Sequence, residues 1–76
     1  MSFDFENLRK SWSAPIVART EIARFTGGLL SARTMANLDS LGEGPPRGRY
    51  GRKIFYPVDS LVAWMEARST EARAAK

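Results

Sequence analysis

Four cations, Arg47, Arg49, Arg52 and Lys53, fall within seven residues and no acid lies among them. Charge at that density suits a polyanion, because each cation that meets a DNA phosphate releases a condensed counterion. A solvated loop would carry the same residues, so charge alone leaves the two readings about even. Upstream, Arg33 and Asn37 stand four residues apart. On a helix that spacing puts both on one face. Arginine can bond guanine bidentately and asparagine can bond adenine bidentately in the major groove. Ser31, Thr34 and Ser40 surround them with hydroxyls, and the amides of a helix starting near Ala32 can hold a phosphate. Ser31, Arg33, Thr34, Asn37, Ser40, Arg47, Arg49, Arg52 and Lys53 are therefore the candidate DNA-binding residues.

The composition argues against other chemistry. The 76 residues include no histidine and no cysteine. That removes the commonest general base and metal ligand, any disulfide framework and any thiolate site. No two of the eight carboxylates look like a catalytic pair. The expectation is a protein that is not an enzyme and needs no cofactor or metal. No apolar run approaches the roughly 20 residues of a membrane span. The acidic start of the chain lacks a signal peptide's apolar stretch, so a cytoplasmic, soluble protein without membrane partners is expected. Net charge is +4, and its distribution says more than its size. Residues 1–16 and 58–76 each sum to zero, while residues 17–57 hold seven cations against three acids.

The elements that must position these residues follow from apolar spacing and glycine. Phe5, Leu8 and Trp12 have helical spacing, which suggests a short helix or docked arm over residues 1–15. A helix is predicted over residues 18–26, with Ile22 and Phe25 on its apolar face and Gly27-Gly28 ending it. Ser31 is a good N-cap for a second helix over residues 32–41. Met35, Leu38 and Leu41 make its inner stripe, and Gly42 closes it. Pro45 and Pro46 forbid helix and favour extended chain. Residues 47–56 read as a hairpin with Gly51-Arg52 at the tip. Alternation along it points Arg47 and Arg49 to one side. Pro57 ends the second strand, and a third helix carries Asp59 in its first turn and buries Leu61, Trp64 and Met65. The predicted core is Ile22, Phe25, Met35, Leu38, Leu41, Ile54, Leu61 and Trp64. Tyr56 is expected inside with its hydroxyl bonded or at the surface, and Tyr50 is more often packed than free.

Two short helices joined by a glycine-containing turn describe a helix-turn-helix, whose second helix enters the major groove. At this point the chain resembles a known group. The runs TGGLLSARTMANLDSLGEGPP and GRYGRKIFYPVDSLVAWM, within residues 22–65, resemble the small winged helix-turn-helix proteins of the excisionase and AlpA group. Gly42-Glu43-Gly44-Pro45-Pro46 is similar to that group's turn into its wing, and Gly51-Arg52-Lys53 to its wing tip. Tyr56, Asp59, Leu61 and Trp64 are similar to its strand-to-helix signature. The resemblance implies an α+β, mostly α fold: a winged helix-turn-helix with three helices and a two-stranded β-hairpin wing. It implies an arm over residues 1–15, the DNA-binding domain over 16–68 and a tail over 69–76. The implied function is sequence-specific double-stranded DNA binding as an excisionase, a recombination directionality factor, of a prophage or integrative element. A site-specific recombinase and self-association on DNA are the partners that go with it. A small AlpA-like transcription regulator is the alternative. A protein-interaction module using Phe3, Phe5 and Trp12 is the reading from a different class. Three positions depart from the group. Ala18 leaves only half a capping box with Glu21. Gly48 replaces an apolar residue that would anchor the wing, and Thr26 replaces a leucine before the glycines. All three predict lower stability.

Overall fold

The computed structural model describes residues 5–69. The chain runs α1 (Phe5–Lys10), β1 (Ile16–Ala18), a 3₁₀ turn (Arg19–Glu21), α2 (Ile22–Thr26), α3 (Ala32–Ser40), β2 (Gly48–Tyr50), β3 (Lys53–Pro57) and α4 (Val58–Arg68). Among the described residues this is a small, mostly helical α+β globule with four helices and one antiparallel sheet of strand order β1-β3-β2. Phe3 and residues 70–76 of the expected tail lie outside the described residues.

The sheet is wider than the two-stranded hairpin expected. Residues 16–18 form a third strand, pairing Ile16 with Pro57, Val17 with Tyr56 and Ala18 with Phe55. The expected first helix therefore starts later. Its first turn is 3₁₀, and Ala18 ends a strand and precedes that turn without capping it. Three residues are too few to reveal a period of two, so β1 left no pattern to read. Val17 and Tyr56 are both fully buried, and this cross-strand pair joins the sheet to the helical core.

Both helix ends beside the site close as the glycines predict. At α2 the Gly28 N–H donates to the Ala23 carbonyl at 2.8 Å and Gly27 to Arg24 at 3.4 Å. At α3 the Glu43 N–H donates to Leu38 at 2.9 Å and Gly42 to Asp39 at 3.1 Å. This double pattern is a Schellman motif, which needs a left-handed residue, and Gly42 supplies it with φ of 76°. Thr26 does more than replace a leucine. Buried, it donates to the Ile22 carbonyl at 2.9 Å and accepts from the Leu30 N–H at 3.1 Å, pinning the turn between α2 and α3.

The core is Val17, Ile22, Phe25, Met35, Tyr56, Val58, Leu61, Val62 and Met65. Ile54 and Trp64 pack against it only partly buried. The Trp64 indole N–H donates to the Glu43 carbonyl at 3.0 Å, tying the turn after α3 to α4. Leu41 is a correction, since it is 69% exposed. Steps of three residues each fall about 60° short of a full helical turn, so the third member of the stripe has rotated well away from Met35. Position i+4 from Met35 faces the core instead, and Asp39 occupies it, buried. Leu38 is only partly buried. Met35→Ala should therefore cost about 2–5 kcal/mol, whereas Leu41→Ala should stay within about 0.5 kcal/mol. Urea melts of the two variants check this, and equal losses would mean that Leu41 packs inside after all.

Candidate nucleic-acid interface

α3 has two faces set by helical rotation. Met35 and Asp39 point inward and are buried, while Arg33, Asn37 and Ser40 point to the opposite side and are exposed. The start of the helix is fixed by its own hydroxyls. Ser31 Oγ accepts the Thr34 N–H at 3.1 Å and lies 3.0 Å from Thr34 Oγ1. Both residues stay exposed while they cap. The outer face thus presents a guanidinium, a carboxamide and a hydroxyl on a helix whose first turn is held in place.

The hairpin is built on the register Gly48–Phe55, Arg49–Ile54 and Tyr50–Lys53, which leaves Gly51-Arg52 as a two-residue tip. The expected weakness at Gly48 is filled from the other strand. A Cβ at Gly48 would sit 2.3 Å from the Phe55 ring, so that ring lies directly over the glycine and anchors the strand. Arg49, Arg52 and Lys53 are all exposed. Arg49 Nε donates to the Gly51 carbonyl at 2.9 Å, folding its stem over the tip. Arg47 lies before β2 and turns elsewhere, toward Asp39 Oδ1 at 3.8 Å. A groove of about 390 Å³ runs beside the tip, lined by Ala18, Arg19, Thr20, Arg52, Lys53 and Ile54. Tyr50 is 81% exposed rather than packed.

Behind this surface lies a polar cluster that the sequence reading did not single out. The Tyr56 hydroxyl donates to Asp39 Oδ2 at 2.7 Å and accepts from Arg19 Nε at 3.0 Å. The other arm of Arg19 donates to the same Asp39 oxygen at 2.6 Å. Burial, and then the neighbouring carboxylate, push the Tyr56 hydroxyl above its ordinary range, with Arg19 opposing. Arg19 is itself held further toward its charged form by its bonds to Tyr56 and Asp39, against the opposing effect of burial. A buried aspartate at a core-facing position of an amphipathic helix is invisible to apolar periodicity.

Of the N-terminal aromatics, Phe5 and Trp12 are occupied internally. Trp12 meets Phe25 edge to face at 5.2 Å between centroids, carries Arg24 over its ring and donates its indole N–H to Ile16. Phe5 packs against the core. Among the described residues no group of three His, Cys, Asp or Glu could hold a metal ion. No helix among them is long and apolar enough to cross a membrane. Set against protein-family models, curated proteins and solved structures, the chain matches none of them.

Tyr56→Phe removes the hydroxyl and should cost about 1–3 kcal/mol, since it strips bonds from a buried carboxylate and a guanidinium. The folded tyrosine has a raised pKa, so the hydroxyl's contribution is fully present below the unfolded value of about 10 and is lost as pH rises through the folded one. Urea midpoints of wild type and Tyr56→Phe should differ by a constant amount near neutrality, and the gap should close at strongly alkaline pH. A gap that persists there would mean that the proton on Tyr56 is not what stabilises the cluster.

Proposed function

We propose that the protein binds double-stranded DNA, with α3 as the recognition helix in the major groove and the β2–β3 hairpin as a basic wing on the flanking backbone. One observation carries this reading. The outward face of α3 is made of Arg33, Asn37 and Ser40, and the neighbouring hairpin exposes Arg49, Arg52 and Lys53. Arginine and asparagine are the side chains suited to base edges, and a small outer face lets a helix approach them closely. The cations of the hairpin suit phosphates, which position a protein without reading sequence. In this reading the fold is a winged helix-turn-helix whose wing has gained β1 as a third strand.

Within that class, the resemblance of residues 22–65 supports an excisionase, an architectural factor that acts beside a recombinase when an integrated element is removed. The AlpA-like transcription regulator would use the same surface. The protein-interaction reading loses support, because Phe5 and Trp12 are engaged with the core.

The test is a titration of fluorescent random-sequence duplex at several salt concentrations. The logarithm of affinity should fall linearly with the logarithm of salt, and Arg52→Ala should flatten the slope by about 0.9. On a site selected from a randomised library, Asn37→Ala should cost about 1–3 kcal/mol, with a smaller loss on random duplex. Salt-independent or absent binding by the wild type would overturn the proposal.

A further inference from the structure

Asp39 carries a charge on the buried side of the helix whose outer side is the proposed DNA face. Its side chain is only 4% exposed, and its two oxygens are served differently. Oδ2 accepts from Tyr56 and Arg19 at 2.7 and 2.6 Å. Oδ1 is buried without a hydrogen-bond partner and faces the Arg47 guanidinium at 3.8 Å. The backbone also closes on it, for a Cβ at Gly44 would sit 1.9 Å from Oδ1. Around one carboxylate, therefore, stand β3 through Tyr56, the 3₁₀ turn through Arg19, and the segment leading into β2 through Gly44 and Arg47.

Arg19 bonds Oδ2, so among the described residues Arg47 is the cation that faces the desolvated Oδ1, with its own side chain 45% exposed. Arg47 is thus engaged within the protein in a way that the other hairpin cations are not. Arg49 bonds a neutral carbonyl, and among the described residues Arg52 and Lys53 make no ion pair. We propose that Asp39 is the positioning residue of the DNA-binding surface. It fixes α3 to the sheet and to the hairpin root, and it keeps Arg47 as its own counter-ion, so that Arg47 is a tether and not a phosphate contact. The second half of this rests on the DNA-binding reading, while the pairing itself does not.

The experiment compares wild type, Arg47→Ala, Asp39→Asn and the double variant, by thermal melting and by salt titration on random-sequence duplex. Asp39→Asn keeps an acceptor for Tyr56 and removes the charge. The expected result is that Arg47→Ala lowers the melting temperature but leaves the salt slope unchanged. In the Asp39→Asn background the same change should have little thermal effect. Asp39→Asn alone should steepen the slope by about 0.9, as the released Arg47 finds a phosphate, and the double variant should lose that gain. A slope flattened by about 0.9 in Arg47→Ala, an unchanged slope in Asp39→Asn, or strictly additive thermal shifts would each overturn the proposal. If Asp39→Asn does not fold, Arg47→Ala decides alone, by whether its slope flattens. If the wild type does not bind duplex at all, the DNA reading fails separately. The thermal cycle then decides the pairing, with non-additivity upholding it and additivity overturning it.

Discussion

The carboxylate of Asp39 meets the Tyr56 hydroxyl and the Arg19 guanidinium inside the fold, and these partners lie 17 and 20 residues away along the chain. No single secondary element contains the interaction. It exists only when α3, β3 and the 3₁₀ turn are docked together. Buried ion pairs are weak sources of net stability, since desolvation offsets most of the attraction. Their effect is on geometry: a helix that slid or rotated on the sheet would leave a charge buried without partners. A 76-residue chain has a small core and little stability to spare. In such a chain the cluster couples the position of α3 to β3 and the 3₁₀ turn, because displacing the helix would strip a buried carboxylate of its partners.

That constraint ties two regions remote in sequence, α3 and the root of the hairpin, to one another. α3 is short, running Ala32–Ser40, and few of its residues touch the core. Its inner face is held by Met35 and Asp39, and its C-terminal turn by the Trp64 indole bonded to Glu43. The outer face is therefore free of packing duties. The hairpin is held in a similar way, from within: the Phe55 ring covers Gly48 on one face of the sheet, and Ile54 and Tyr56 pack from the other. Its exposed cations then extend from a packed base.

Much of this was legible from residue types. Gly27-Gly28 and Gly42 marked the two helix ends, Ser31 marked the start of α3, and Gly51-Arg52 marked the hairpin tip, because each needs a local backbone geometry that few residues allow. The outward residues Arg33, Asn37 and Ser40 followed from helical rotation. What escaped was non-local. β1 is too short to show alternation and exists because β3 offers an open edge. Asp39 broke an apolar stripe that seemed complete with Leu38 and Leu41, and only its partners from other elements make burial tolerable. Val58 and Val62 are buried because α4 lies against α1 and the sheet, which the stripe of Leu61, Trp64 and Met65 did not reveal.

The central proposal is that the outer face of α3 and the hairpin tip both meet duplex DNA. Backbone amide chemical shifts recorded during titration with a random-sequence duplex test it residue by residue. The account predicts changes concentrated at Arg33, Asn37, Ser40, Gly51, Arg52 and Lys53, with the exposed faces of α1 and α4 silent. Changes confined to α1 and α4, or none anywhere in the chain, would contradict it.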